Sequence, residues 1–415
     1  MAIFRPFRAL RPVPELVSKI AALPYDVMST YEAAEIAKLN PHTFLRIDRA
    51  EINFPAGINP YDEQVYEKAA ELLQQYEDDG LMEQDSAPCF YILEQTLYGR
   101  TQTGLVGCAS IDDYRNNVIK RHENTTVEKS KDRICHVRAC NANTGPIFLT
   151  YPGDDTITDD LYAWKSGHKA TYEFITPEEV RVRAWAIDDP ELNASLTDSF
   201  RDIPSLYIAD GHHRCNSAVE VGLEKRKAAG KFTGAEEFNY FLAIAFPSEE
   251  LAIMDYNRVA RLPEGMTKET LFSEISKYFT VEEQKGLSPY RPDQPKTFGM
   301  YVFNNWYKLT ARDGTFNQDD PVERLDVSVL QDNLIGPVLG ITDLRNDKRI
   351  DFVGGARGLR ELEHRVHTDM NIAFSMYPTS IEDLISVADA GRLMPPKSTW
   401  FEPKLLSGMF IHKLD

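Results

Sequence analysis

The segment from Leu206 to Leu223 constrains the fold more than any other part of this sequence. Leu206–Ala209 is an apolar run with the length of a buried strand, and the turn pair Asp210–Gly211 follows it directly. Beyond the turn, apolar residues recur at the spacing of one buried helical face, at Cys215, Ala218, Val219 and Leu223. The sequence therefore predicts a strand, a tight turn and a helix.

This layout predicts an anion site at the turn, because the N–H groups and the dipole of a helix N-terminus both favour negative charge. Gly211 lets the backbone approach a ligand closely, and the planar fork of Arg214 can hold two phosphate oxygens. His212 and His213 titrate near neutral pH and can donate to phosphate or move a proton. Asp210 can accept a proton from an attacking hydroxyl or bind Mg²⁺. The alternative interpretation is an ordinary turn followed by a solvated arginine.

A charged stretch from Lys120 to Arg133, which includes Lys129, is the second candidate region. Glu123 lies next to His122 and can act as a general base, while Lys120 and Arg133 can contact phosphate. A solvated helix face is the alternative, since most runs of charge are of that kind.

The third candidate region is the stretch from 394 to 404, which is rich in proline and lysine and is expected to be irregular. Lys397, Ser398, Thr399 and Lys404 can close over a phosphate group. A terminal segment that is simply fixed to the core is the alternative.

The length and the mixed patterns predict several structural units of the α/β or α+β class. For 415 residues we expect an N-terminal α/β region over 1–111, a core with the Asp210 turn over 112–260, and a C-terminal α+β region over 261–415 whose tail packs near the site. Two helices are predicted over Thr30–Leu39, with Ser29 and Glu32 as a capping box, and over Tyr61–Gly80. A third is predicted over Ser328–Leu339, and a hairpin around Asn304–Asn305.

Composition excludes several classes of function. The net charge of -18 disfavours nucleic acid as a partner, although a local group of donors can still bind one small phosphate. The sequence contains no apolar run long enough to span a membrane, and its first residues are not expected to form a signal peptide. Five cysteines, an odd number, favour a reducing cytoplasm, and Cys135 with Cys140 lack the second pair of a structural zinc site.

Four segments together resemble the bacterial and archaeal family defined by domain of unknown function 1015, over essentially the whole chain. They are Pro24–Val27, His122–Thr125, Ala209–Arg214 and Met394–Thr399. The Asp-Gly-His-His-Arg turn also resembles a motif of the ParB and sulfiredoxin superfamily, which includes the ADP-dependent free-serine kinase of archaea. The resemblance implies a phosphate-binding core of that superfamily with large N- and C-terminal elaborations.

The resemblance also implies roles for particular residues. Gly211, His212, His213 and Arg214 would contact nucleotide phosphates. No motif places the superfamily's catalytic glutamate in this sequence, and Glu123 is our candidate for it. His212 stands where sulfiredoxin has its catalytic cysteine, so sulfinic acid chemistry is not expected.

Three functions agree with these features. The first is a phosphotransferase that uses ADP or ATP, with Mg²⁺ as an expected cofactor, and acts on serine or phosphoserine. The second is a nucleotide-binding regulator without a small-molecule acceptor. The third is a metal-dependent phosphatase in which Asp210, His212 and His213 are ligands.

Overall fold

A computed structural model of the chain describes residues 1–286 and 288–415, and the side chain of Lys129 lies outside the described part. The chain forms two compact units. The first unit contains residues 1–121, 125–251 and 403–415, so the C-terminal segment packs in the same unit as the N-terminal half of the chain. The second unit contains residues 122–124 and 252–402.

The strands of the first unit are β1 (Phe4–Arg5), β2 (Leu10–Pro12), β3 (Met82–Gln84), β4 (Phe90–Leu97), β5 (Arg100–Ser110), β6 (Ile119–Lys120), β7 (Ala142–Asn143), β8 (Ile147–Tyr151), β9 (Tyr172–Ile175), β10 (Arg181–Ile187), β11 (Leu206–Asp210), β12 (Tyr240–Pro247) and a last strand, His412–Lys413. Its helices are α1 (Val17–Ile20), α2 (Thr30–Leu39), α3 (Leu45–Asp48), α4 (Glu63–Asp78), α5 (Ile111–Arg115), α6 (Val127–Cys140), α7 (Asp155–Gly167), α8 (Pro190–Asp202) and α9 (His212–Ala229). Short 3₁₀ turns cover Ala50–Asn53, Glu237–Asn239 and Ser248–Glu250.

A mixed sheet is the core of the first unit. Its strands follow the order β6-β11-β8-β12-β5-β4-β10-β9, and β1 pairs with β5. β12 is buried along almost its whole length, which explains its continuous apolar sequence, because both faces of such a strand are covered. Helix α9 packs against this sheet through Cys215, Ala218 and Val219, which are buried in the same core as its apolar spacing predicts.

The local signals in the first unit are confirmed. Ser29 caps α2, and its backbone N–H donates to the carboxylate of Glu32 at 2.8 Å, which completes the predicted capping box. The helix expected over Tyr61–Gly80 is α4, which Asp62 caps by accepting from the N–H of Gln64.

The strands of the second unit are β13 (Ile253–Met254), β14 (Tyr256–Ala260), β15 (Phe279–Glu283), β16 (Thr297–Val302), β17 (Asn305–Ala311), β18 (Ile350–Gly354), β19 (Ile372–Ser375) and β20 (Trp400–Phe401). Its helices are α10 (Lys268–Ile275), α11 (Asp326–Leu330), α12 (Arg360–Thr368) and α13 (Ile381–Asp389), with a π turn at Gln331–Ile335 and a 3₁₀ turn at Gly355–Arg357. Six strands form an antiparallel sheet in the order β15-β17-β16-β19-β14-β18, and β13 pairs with β20.

Two expectations for the second unit need correction. The predicted hairpin is present, but Phe303 and Asn304 form its turn with positive φ, and Asn305 already belongs to β17. The single helix expected over Ser328–Leu339 is wrong, because α11 ends at Leu330 and a π turn follows. The N–H of Gly336 donates to the carbonyl of Gln331, five residues back, ahead of a proline that cannot continue the ladder.

Helices and sheets occur in both units, so the chain is a mixed α+β protein. Across the described residues, none of the helices combines the length and apolar character that a membrane crossing requires.

Candidate functional site

The Asp210 turn has the predicted strand, turn and helix geometry. β11 is buried as far as Ala209, whereas Asp210 is partly exposed. Gly211 adopts a left-handed conformation with φ of 89°, which other residues reach only with strain. The 18-residue helix α9 then begins at His212, and its first intrahelical bond runs from the N–H of Cys215 to the carbonyl of Gly211 at 2.9 Å. The N–H groups of this first turn therefore point out of a helix start that has no capping side chain, since the residue there is glycine.

Asp210 forms an ion pair with Lys404 at this turn. The ammonium of Lys404 lies 2.8 Å from Oδ2, and the N–H of Gly211 donates to Oδ1 at 2.7 Å. Loss of solvation by surrounding protein would raise the pKa of Asp210, but Lys404, Gly211 and His212 lower it to about 2. The carboxylate is therefore ionised at neutral pH, while its side chain remains 45% exposed.

Two buried amides fix the position of Lys404. Gln95 donates to the carbonyl oxygen of Lys404 at 3.0 Å, and Gln102 donates to Gln95 at 3.1 Å. Both glutamines are buried on the neighbouring strands β4 and β5. The ammonium of Lys404 is thus presented from a backbone segment that is tied to the central sheet.

Arg214 pairs with a buried carboxylate. Its Nη2 atom lies 2.9 Å from Oδ2 of Asp48 and donates to the hydroxyl of Ser407 at 2.9 Å. The side chain of Asp48 is fully buried and also accepts from the hydroxyl of Thr144 at 3.0 Å. Burial would raise the pKa of Asp48, but Arg214, His136 and Arg133 hold it well below its usual range.

Tyr25 lies between two guanidinium groups. The guanidinium carbon of Arg133 is 4.0 Å from the centre of the Tyr25 ring, and that of Arg214 is 5.2 Å from it. Arg133 is itself buried and pairs with Asp132 at 2.8 Å. Together, these contacts join segments from distant parts of the sequence into what we call the Asp48 cluster, formed by Tyr25, Asp48, Arg133, His136 and Arg214.

His136 is the neutral member of the Asp48 cluster. It is buried, and its Nε2 atom lies 3.0 Å from the carbonyl oxygen of Ile47. Burial and the neighbouring charge of Arg133 lower its pKa well below the usual range of histidine. At neutral pH the charged groups of the cluster are therefore Arg133, Arg214 and Asp48, and Asp132 pairs with Arg133 beside them.

Gly145 makes room for the guanidinium of Arg214. A Cβ atom at this position would overlap Nη1 of Arg214 and approach the Ser407 hydroxyl to 2.9 Å. The glycine is thus required by close packing and not by its own backbone conformation.

The other predicted site residues fall into two groups. In the first unit, the ammonium of Lys120 lies 5.7 Å from the ring centre of Tyr207, on the strand that leads to the Asp210 turn. His213 is half-buried in the first turn of α9, also in the first unit. The second unit contains Glu123, Lys397, Ser398 and Thr399. Their phosphate-binding and catalytic roles stay predictions.

Within the second unit, the structure joins two of the sequence motifs. The N–H of Met394 donates to the carbonyl of His122 at 2.8 Å, and the Thr399 hydroxyl lies 3.4 Å from Nε2 of His122. Ser398 is buried and donates to the carbonyl of Pro395 at 2.6 Å. Lys397 is exposed with a φ of 61°, so its backbone is held in a conformation unusual for lysine.

Sequence analysis missed several residues that complete the site in the first unit. Asp48 lies in the short helix α3 between Ile47 and Arg49, where no local pattern marks its carboxylate as buried. His136 and Ser407 also become visible only through tertiary contacts. Tyr25 belongs to the segment Pro24–Val27, and the resemblance of that segment to the family was the sequence signal for it.

Comparison with known proteins gives one family match. The family described as Protein of unknown function (DUF1015) matches residues 4–328. A search of curated proteins finds no match.

Several solved structures are similar to this chain at low identity. Free serine kinase in complex with AMP is 13% identical, with a TM-score of 0.35, and the match covers 72% of this chain and 90% of that chain. SbnI from Staphylococcus aureus with a C-terminal truncation is 13% identical, with a TM-score of 0.36, covering 73% and 85%. A conserved hypothetical protein from Pyrococcus furiosus is 12% identical, with a TM-score of 0.33, covering 72% and 93%.

Proposed function

Because this chain belongs to the family of unknown function that matches residues 4–328, its membership names no reaction, and we propose a function from the geometry of the Asp210 turn. The proposed function is a phosphotransferase that moves a phosphoryl group between a nucleotide and serine or phosphoserine. The start of α9 would hold the phosphate group that is transferred.

One observation carries this proposal, namely that an ammonium group lies at an uncapped helix start whose first turn also contains an arginine. Gly211 exposes the backbone ahead of α9, Lys404 lies against Asp210, and Arg214 stands in the first turn. Backbone N–H groups, a helix dipole and two cations form the usual set of groups that bind phosphate. The first turn of α9 itself contains no acidic residue, and the carboxylate that precedes it, Asp210, is paired with Lys404.

Both cations would act on phosphate from positions that their carboxylate partners fix. An ammonium has three N–H donors, and the contact of Lys404 with Asp210 takes one of them. A guanidinium has five donors, and the bonds of Arg214 to Asp48 and Ser407 both run through Nη2. Asp48 would thereby orient Arg214 without consuming all its donors.

The low pKa of Asp210 favours a metal-binding role for this residue over a role as a base. A carboxylate with a pKa of about 2 is a weak base at neutral pH, so it is poorly suited to removing a hydroxyl proton. Its ionised and partly exposed oxygen suits Mg²⁺, which commonly takes one carboxylate together with phosphate oxygens. Mg²⁺ would neutralise charge on the phosphates, and Asp210 is the residue of this turn that would hold it. Phosphoryl transfer depends mainly on positioning and charge stabilisation, so a weakly basic Asp210 is compatible with it.

The test is direct detection of the product. The purified chain is incubated with Mg²⁺, serine and ADP or ATP, and separately with phosphoserine and ADP or AMP, and the mixtures are analysed by mass spectrometry. We expect nucleotide-dependent formation or consumption of phosphoserine. Lys404→Met should reduce the rate about 100-fold, which is the usual cost of removing one donor that stabilises the transition state.

The matched control is Lys413→Met, which removes the same charge from the same unit. Lys413 pairs with Glu77 at 3.0 Å on the last strand, and its loss should leave the rate unchanged. Equal rates for wild type and Lys404→Met would refute the role of the turn. Nucleotide binding by calorimetry without any serine-dependent product would instead favour the regulator.

A further inference from the structure

A small cavity borders the Asp48 cluster in the first unit. Its volume is about 200 Å³, and its walls include Tyr25, Tyr61 and Tyr66 together with the acidic residues Asp26, Glu51 and Asp132. Pockets that hold nucleotides or other ligands of that size usually occupy roughly 300–1,000 Å³. The cavity is therefore of a size for a compact molecule and not for a nucleotide.

The charges of the walls select a cation. Four carboxylates and two guanidiniums line the cavity, those of Asp26, Asp48, Glu51, Asp132, Arg49 and Arg133. His136, the remaining titratable base in the wall, has a pKa lowered by burial and by Arg133, so it is neutral at pH 7. Arg214 pairs with Asp48 at 2.9 Å, so the four carboxylates face three guanidiniums and the excess is one negative charge. Asp26 is the carboxylate outside these three ion pairs.

The two arginines are engaged by the protein and offer little to an anion. Arg49 pairs with Glu51 at 2.9 Å, and its Nη1 atom donates to the carbonyl of Tyr25 at 2.8 Å. Arg133 pairs with Asp132 and lies against the ring of Tyr25. A bound carboxylate or phosphate would have to compete with these contacts, whereas a cation can meet Asp26, an exposed carboxylate that belongs to neither pair.

The tyrosines complete the recognition of an ammonium group. Aromatic ring faces attract organic cations, and Tyr61 and Tyr66 contribute rings to the wall. The hydroxyl of Tyr66 donates to Asp132 at 2.9 Å, which fixes that carboxylate at the cavity surface. Rings and carboxylates together distinguish an organic ammonium from a hydrated metal ion, which gains less from an aromatic face.

We propose that this cavity binds the ammonium group of a small amine. Its identification as the amino group of serine rests on the proposed function, and the cavity would then be the acceptor site next to the Asp48 cluster. Asp26 and Asp132 would accept from the ammonium, and the ring of Tyr61 would cover it.

A series of small ligands tests which group is recognised. Binding to the intact chain is measured by isothermal titration calorimetry with serine, ethanolamine, glycerate and N-acetylserine. Serine and ethanolamine, which carry an ammonium, should bind, whereas glycerate and N-acetylserine should bind at least about tenfold more weakly, the usual loss for one charged hydrogen bond. Equal binding of serine and N-acetylserine would overturn the proposal.

Variants test the walls of the cavity. Asp26→Asn should weaken ethanolamine about tenfold, and Tyr61→Ala should weaken it about threefold while Tyr61→Phe retains binding. Asp159→Asn is the control, because Asp159 is an exposed aspartate of α7 outside the cavity. Unchanged affinity in both Asp26→Asn and Tyr61→Ala would also overturn the proposal.

The outcome separates this inference from the proposed function. Amine binding that depends on Asp26, without any phosphoryl transfer, would support the cavity and contradict the phosphotransferase. Phosphoserine formation with the same KM for serine in wild type and Asp26→Asn would support the phosphotransferase and contradict the cavity.

Discussion

Replacement of Asp48 by alanine should destabilise the first unit strongly. The side chain is fully buried and receives Arg214 at 2.9 Å, Thr144 at 3.0 Å and Arg133 at 3.9 Å. Its removal leaves the guanidinium of Arg214 in the protein interior without its paired carboxylate, while Arg133 keeps Asp132 at 2.8 Å. Breaking a buried pair in this way typically costs about 3–5 kcal/mol, most of it the penalty of the uncompensated charge.

The measurement is urea unfolding of the wild-type and Asp48→Ala chains. Because the chain has two units, the transition of the first unit is followed separately, by hydrogen exchange of amides in β8 and β11. We expect the free energy of unfolding of that unit to fall by about 4 kcal/mol. Asp48→Asn keeps one acceptor oxygen for Arg214, although its amide nitrogen can only donate, so the free energy of unfolding should fall less than in Asp48→Ala.

The matched control is Glu224→Gln, which breaks an ion pair on the surface whose N–O distance is nearly that of the Arg214–Asp48 pair. Arg138 and Glu224 are 2.8 Å apart, but each side chain is about half exposed. Exposed pairs contribute roughly 0–1 kcal/mol, so this change should be small. A loss below about 1 kcal/mol in Asp48→Ala, no larger than that in the control, would refute the claim that the buried Asp48 cluster stabilises the first unit.

Three further outcomes follow from the geometry of the site. Gly145→Ala should lower the stability of the first unit by about 1–3 kcal/mol in urea unfolding, because the new methyl group overlaps Arg214. Asp210 should titrate near pH 2 in carboxyl NMR spectra, so its stabilising effect is complete above its unfolded pKa of about 3.9 and is lost as the pH falls to about 2. A titration near pH 4 would contradict the pairing with Lys404. Nucleotide binding measured by calorimetry should weaken at least about tenfold when EDTA removes Mg²⁺, whereas equal affinity would exclude a metal at the turn.

The turn at Asp210 could be predicted because all of its signals are local. A buried strand, an Asp-Gly turn and a helical apolar face lie within the 18 residues from Leu206 to Leu223. Each element can therefore be recognised from residues that are neighbours in the sequence. The capping box at Ser29 was visible for the same reason.

The partners of the turn could not be predicted, because they come from remote segments. Arg214 meets Asp48 across 166 positions of sequence and Ser407 across 193. Lys404 was expected at a phosphate, yet its contact with Asp210 depends on the return of residues 403–415 to the first unit. Buried charge pairs have no periodicity, so a sequence shows the ions but not which of them meet.

Charge balance explains why the turn would need a metal ion to hold a nucleotide. The cations Arg133, Arg214 and Lys404 face the anions Asp48, Asp132 and Asp210, so the site as a whole is close to neutral. A neutral set of pairs keeps the buried groups stable before a ligand arrives, since unpaired arginines in this position would be costly. It also leaves no net positive charge to offset nucleotide phosphates, apart from the helix dipole and backbone N–H groups of α9. In the proposed function, a divalent cation held by Asp210 would supply the missing charge where the phosphates would lie, and the same carboxylate that pairs with Lys404 would then link the protein to the metal.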